Sequence, residues 1–117
     1  MTAYFDTLDT LDPQSRETML FSKLPGFLAE IARDIPGWGK RLADVDTAAI
    51  SSRAALSSLP VLRKAELMEA QAAEPPFGGF VNMAHLDGSR IFMSPGPVWE
   101  PQGLGTDPWG AARAFHA

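Results

Sequence analysis

Apolar side chains recur every three or four residues through the first third of the chain. The strongest run follows Asp12, which can cap a helix, and Pro13, which suits a first helical position. Its apolar members are Leu20, Phe21, Leu24, Phe27, Leu28, Ile31 and Ile35. This spacing predicts an amphipathic helical arm. Pro25 predicts either two helices or one kinked helix, with the break between Lys23 and Gly26, because proline lacks the backbone donor.

Two shorter helix patterns follow a predicted turn at residues 35–39, IPGWG. Ser52 can cap a helix from Arg53 to Ser58, and Pro60 comes after its end. Residues 63–73, RKAELMEAQAA, are rich in strong helix formers and predict one more helix. The core candidates in this stretch are Leu56, Leu59, Val61, Leu62, Leu67 and Met68.

The pattern changes after residue 75, where prolines and glycines end the helical half. Residues 80–83 and 90–93 predict two short strands, with Asp87 and Gly88 as the hairpin turn between them. A loop dense in proline and glycine follows, and a further helix pattern opens at Asp107, with Trp109, Ala112 and Phe115 along one side. We predict an α/β fragment: a helical segment over residues 1–74, then hairpin, loop and the start of a helix over 75–117.

These two segments are expected to form one incomplete domain. The last helix pattern ends at Ala117 without a glycine cap, and a hairpin is marginal by itself. The strand before the loop is also expected to pair with a parallel strand from later sequence. We therefore expect this chain to be the N-terminal part of a larger protein.

Composition narrows the classes of partner. The chain has 117 residues, a formal charge of −4 and no cysteine. It lacks the basic stripe that captures nucleic acid, and no apolar run approaches the ~20 residues of a membrane span. The first residues are acidic where a secretory signal would be positively charged. A cytoplasmic protein without nucleic-acid or membrane partners is the expectation.

Metal and catalytic chemistry find little support in the sequence. His85 and His116 have no second histidine at ligand spacing, so a zinc site is not expected. The acidic row Asp6, Asp9 and Asp12 lacks the alternation and the glycine of a calcium loop. We predict no metal ligand and no catalytic residue within this chain.

Three segments occur in a specific order: LPVLRKAELMEAQ, PPFGGF and RIFMSPGPVWEPQG. Together they are similar to the opening region of phenylacetate–CoA ligases and related adenylate-forming enzymes, in which an LP-x-x-x-K-x-x-L helix precedes a PFG segment and a strand ending in a phosphate loop. The resemblance spans most of the chain, although only the ordered set is specific. The matching positions are Leu59, Pro60, Lys64 and Leu67, then Pro76, Phe77 and Gly78, then Ser94 to Pro101.

The resemblance implies a ligase that uses ATP and Mg²⁺ to convert a carboxylic acid, typically an aryl acid, into an acyl adenylate, and then transfers the acyl group to coenzyme A. It places the ATP phosphate loop at Ser94, Gly96, Val98 and Glu100. The adenosine-binding motifs, the carboxylate site and the catalytic lysine would lie in polypeptide beyond Ala117. Residues 1–117 alone are therefore expected to be inactive.

The loop departs from the family pattern SSGTTGKPT. Pro95 and Pro97 have no N–H to offer, and Glu100 stands where the family has lysine, so each change weakens anion binding. The remaining donors are Ser94, Gly96 and Val98. A rigid turn at the end of a strand is the structural explanation of the same residues. Two other functions stay open: a non-catalytic helical interaction module, or a branch of the family that has lost ATP-dependent adenylation.

Overall fold

The computed structural model describes residues 4–86, 90–107 and 110–116. The described residues form a small α/β structure with four α-helices and one antiparallel hairpin, which confirms the coarse fold class. The helices are α1 (Pro13–Asp34), α2 (Pro36–Arg41), α3 (Arg53–Leu56) and α4 (Lys64–Ala73), and the strands are β1 (Ile91–Met93) and β2 (Trp99–Pro101). Short 3₁₀ helices span Thr7–Thr10, Thr47–Ala49, Met83–His85 and Ala112–Phe115.

Helix α1 begins where the sequence predicts. The Asp12 carboxylate accepts from the Ser15 N–H at 3.0 Å. Hydrogen bonding by the Ser15 side chain, and after it by this N–H, holds the pKa of Asp12 below its ordinary value. The helix then continues for 22 residues through Pro25, which does not divide it in two. Proline removes one backbone hydrogen bond, but apolar residues on both sides of it pack into the same core and keep the helix continuous.

The core lies between α1, α2 and the segment that precedes α3. Its buried centre consists of Leu28, Leu42 and Ile50. The partly buried side chains packed against this centre are Leu24, Ile31, Ala32, Trp38, Val45, Ala55 and Leu59. The predicted turn at residues 35–39 is wrong, because Pro36 begins α2 there. The placement of Val61 in the core is also wrong, since it is 71% exposed in the extended link before α4.

Residues of α2 and α4 are joined by one arginine. The Arg41 guanidinium donates to the carbonyl of Val61 and to both carboxylate oxygens of Glu66, at 3.2 Å each. Glu66 also accepts from the Arg63 N–H at 2.7 Å at the start of α4. The Arg63 N–H, and after it Arg41, lower the pKa of Glu66 below its ordinary value.

The predicted hairpin is wrong in its pairing. Strand β1 pairs with β2, so the chain reverses at residues 94–98 and residues 80–83 form no strand. Asn82 explains the difference locally, because its side chain accepts from the Ala84 N–H at 3.0 Å and starts a 3₁₀ turn there. The neighbour of β1 in the described residues is thus antiparallel, and the predicted turn at Asp87 and Gly88 lies outside them.

Of the helix predicted from Asp107, the described residues form one 3₁₀ turn at Ala112–Phe115. The N–H groups of Ala111 and Ala112, at the start of this turn, donate to the Asp107 carboxylate. Trp109 lies outside the described residues. Arg113 donates to Asp6 at 2.6 Å and also to Asp9, so this turn contacts the N-terminal segment. The Arg113 hydrogen bond lowers the pKa of Asp6 below its ordinary value.

Two glycines test the packing of α1 on α2. A Cβ at Gly39 would meet the Ala32 carbonyl oxygen at 2.5 Å, whereas a Cβ at Gly26 would meet nothing within 4 Å. We expect Gly39→Ala to lower the free energy of unfolding by about 1–3 kcal/mol through overpacking. The matched control Gly26→Ala should raise it by about 0.5–1 kcal/mol, because alanine favours a helix interior. Urea denaturation measures both, and equal effects of one sign would contradict this packing.

Candidate functional site

The four predicted phosphate-loop positions lie in the β1–β2 hairpin. Ser94 and Val98 close its loop: the Ser94 N–H donates to the Val98 carbonyl at 3.0 Å, and the Val98 N–H donates to the Ser94 hydroxyl at 3.4 Å. Gly96 occupies the tip with a φ of 80°, a left-handed conformation that favours glycine. Glu100 is exposed in β2, opposite Phe92. Two of the three predicted donors are therefore used inside the loop.

A lysine from helix α4 reaches the same loop. The Lys64 ammonium donates to the Pro95 carbonyl at 2.8 Å. It also lies beside the tip, because a Cβ built on Gly96 would come within 3.3 Å of its Nζ. An ammonium has three donors, and Lys64 is exposed. The positive charge that the loop itself lacks at Glu100 is thus present next to Gly96.

Gln71 fastens the hairpin to α4. Its side-chain NH₂ donates to the Trp99 carbonyl at 2.9 Å, and its side-chain oxygen accepts from the Trp99 N–H at 2.9 Å. The residue is only 6% exposed. Gln71 lies seven residues after Lys64, two helical turns along, so both project from one side of α4 towards the hairpin.

An apolar groove of about 550 Å³ separates α4 from part of the hairpin. It is lined by Met68, Gln71, Ala72, Pro75, Pro76, Pro97 and Trp99. Because both ends of the Gln71 amide are bonded to Trp99, that amide has little left to offer a ligand. The groove therefore suits an uncharged apolar group.

The described residues hold no cluster of three or more histidine, aspartate or glutamate side chains that could bind a metal ion. Nor is any of the described helices long and apolar enough to cross a membrane. Near the hairpin loop the charged groups are the Lys64 ammonium from α4 and the Glu100 carboxylate on β2. Arg90 precedes β1 at the other end of the hairpin, where its guanidinium donates to the Gln102 side chain at 3.4 Å. An anion at the loop could therefore be bound by one ammonium group and by backbone N–H groups.

Comparison with known proteins gave no relative: the chain matches no family model, no curated protein and no solved structure.

Sequence reasoning missed the two residues of α4 that organise the hairpin. In the sequence Lys64 stands out only as part of the LP-x-x-x-K-x-x-L pattern, and no motif marks Gln71. The one signal that links them is their spacing of seven on a helix whose hydrophobic stripe is weak. Two polar residues on one helical face can indicate that their side chains hydrogen-bond the backbone of a nearby proline-rich loop. The sequence pattern does not say which backbone groups they bind.

Replacing Gln71 should detach the hairpin from α4. Gln71→Leu keeps the size of the side chain but leaves the partly buried N–H and C=O of Trp99 without partners, which costs up to about 1–3 kcal/mol for each group. We expect a lower free energy of unfolding and faster amide exchange at Trp99, measured by hydrogen exchange. Gln14→Leu, on the exposed first turn of α1, is the matched control and should change neither. Unchanged exchange at Trp99 in Gln71→Leu would refute this role.

Proposed function

We propose that the chain is the N-terminal part of a carboxylic acid–CoA ligase of the phenylacetate–CoA ligase-like kind. The observation that carries the proposal is the contact between Lys64 and Pro95. Lys64 belongs to the LP-x-x-x-K-x-x-L segment and Pro95 to the strand–loop segment, 31 residues later. Two segments of the ordered set are therefore neighbours in space, as parts of one site should be.

The proposed reaction has two steps. A carboxylate, in the family typically an aryl acid, attacks the α-phosphorus of ATP to give an acyl adenylate and release pyrophosphate. The thiol of coenzyme A then displaces AMP to give the thioester. Mg²⁺ would accompany the ATP phosphates. In this proposal the polypeptide beyond Ala117 supplies the adenosine and carboxylate sites and the catalytic lysine, the enzyme works in the cytoplasm, and it has no nucleic-acid or membrane partner.

The hairpin fits one phosphate group better than a triphosphate. The N–H groups of Ser94 and Val98 are hydrogen-bonded inside the loop, and Pro95 and Pro97 have no N–H. Among the described residues, the Gly96 N–H has no acceptor, and a Cβ built on Gly96 would lie 3.3 Å from the Lys64 Nζ. These two groups would hold the phosphate oxygens. Lys64 would thereby take over the charge that the family's loop carries at the position of Glu100.

The activity test compares two lengths of polypeptide. We expect ATP–pyrophosphate exchange, dependent on an aryl acid, from the protein extended past Ala117 as its gene encodes it. Residues 1–117 alone should show none. An extended protein that is folded and gives no exchange with a panel of aryl and alkyl acids would refute the ligase proposal.

Charge substitutions test the phosphate contact within that extended protein. Lys64→Met should raise the KM for ATP about tenfold, since a charge-assisted hydrogen bond is worth roughly 1.5 kcal/mol or more. Glu100→Lys should lower the KM by removing a nearby negative charge. The control Lys23→Met removes an exposed lysine from α1 and should leave the KM unchanged. An unchanged KM in Lys64→Met would place Lys64 outside the phosphate site.

An interaction module is the second candidate, and a specific feature favours it. The side chains of Ile91 and Met93 are 54% and 56% exposed on a strand, and Leu20 and Phe27 are similarly exposed on α1. Exposed apolar residues in a row commonly mark a contact surface. The third candidate, a family branch without ATP-dependent adenylation, is favoured by the internal use of the Ser94 and Val98 N–H groups. A folded extended protein that binds an aryl acid but not ATP would support it.

A further inference from the structure

The two edges of the hairpin are not equivalent. Hydrogen bonds from the Ser94 N–H to the Val98 carbonyl and from the Gln102 N–H to the Arg90 carbonyl flank the ladder. Because inward and outward positions alternate along an antiparallel strand, residues 90, 92 and 94 face β2. The N–H and C=O groups of Ile91 and Met93 must therefore point away from β2.

The outer edge of β2 is closed. Trp99 is the outward-pointing residue at its start, and Gln71 bonds both its N–H and its C=O. Pro101 is the next outward residue, and it has no N–H. Proteins commonly protect an edge by covering it or by placing proline there. The β2 edge carries both protections.

The outer edge of β1 carries neither. Within the described ranges 4–86, 90–107 and 110–116, the backbone groups of Ile91 and Met93 have no hydrogen-bond partner outside the hairpin. The strand contains no proline, no lysine and no glycine. The side chains of Ile91 and Met93 are apolar and more than half exposed. Such an edge is a template for an added strand.

We propose that this edge pairs with the same edge of a second copy of the chain, antiparallel, about a two-fold axis at Phe92. The register is self-complementary: Ile91 of one copy faces Met93 of the other, and both are outward-pointing residues. The four N–H and C=O groups of each copy then form four hydrogen bonds across the axis. An isologous contact of this kind closes on itself and gives a dimer with a continuous four-stranded sheet.

Side-chain chemistry agrees with this register. Each Ile91–Met93 pair brings together two exposed apolar side chains on one face of the sheet. Arg90 lies opposite Ser94 of the second copy, so no like charges face each other at either end. Glu100 lies on β2, one strand away from the new contact. The pairing therefore buries apolar surface without placing like charges directly opposite each other.

Cysteine cross-linking tests the register, since the chain has no native cysteine. In the proposed dimer the two Phe92 residues form a non-hydrogen-bonded pair with Cα atoms about 4.5 Å apart, within the range of a disulfide. Phe92→Cys should give a disulfide dimer in a glutathione redox buffer. Ile91→Cys alone should give at least tenfold less, because the two copies of residue 91 are diagonal neighbours about 7–8 Å apart.

A mixed experiment sharpens the same test. Chains carrying Ile91→Cys and chains carrying Met93→Cys should cross-link with each other, since these positions are directly opposite at about 5.5 Å. Val61→Cys, at an exposed apolar residue away from the hairpin, measures collisional cross-linking. Cross-linking of Phe92→Cys no greater than that of Val61→Cys would overturn the proposal.

Sedimentation equilibrium of the unmodified 117-residue chain gives the independent readout. We expect a reversible monomer–dimer equilibrium whose Kd rises at least tenfold in Met93→Lys, because a charge on the edge opposes strand addition. Val61→Lys is the matched control and should leave the Kd unchanged. Circular dichroism checks that both variants keep the helical content. A chain that stays monomeric up to its solubility limit would overturn the proposal, as would equal effects of the two lysine substitutions.

Discussion

The bonding of one buried side chain, Gln71, to both backbone groups of Trp99 determines the arrangement of the C-terminal third of the described chain. A two-stranded hairpin with three residues in each strand is marginal by itself in water. The Gln71 amide acts as a short additional strand, because it offers one donor and one acceptor at the spacing that Trp99 presents. The hairpin is therefore held by a helix rather than by neighbouring strands.

This attachment also decides where charge lies around the loop. Because Gln71 fixes β2 on α4, the first turn of the same helix brings the Lys64 ammonium to the Pro95 carbonyl. The loop is then stiff, with two prolines and two internal hydrogen bonds, and its cation comes from outside the loop sequence. A loop of this kind would give an anion a preformed site with few hydrogen-bond donors. It differs physically from a glycine-rich loop, which aims several N–H groups at one phosphate.

The sequence predicts those features that depend on neighbours along the chain. Asp12, Pro13 and Ser52 mark helix starts that the structure confirms, because a cap needs only the next three residues. Features that depend on distant residues were missed. The continuity of α1 through Pro25 depends on its packing against α2 and the 47–49 turn, and the attachment of the hairpin to α4 depends on Gln71. A local pattern contains neither contact, so the sequence draws attention to the hairpin loop but not to the residues of α4 that contact it.

The closed edge of β2 gives the open edge of β1 its significance. Once Gln71 occupies one side of the hairpin, any further strand can add only beside Ile91 and Met93. A strand from a longer polypeptide and the β1 strand of a second copy would use the same N–H and C=O groups, so the two arrangements exclude each other. A ligase whose sheet continues beside β1 would have no free edge for a dimer. A chain that dimerises there keeps its Lys64 contact at the loop, because that contact lies on the α4 side of the hairpin.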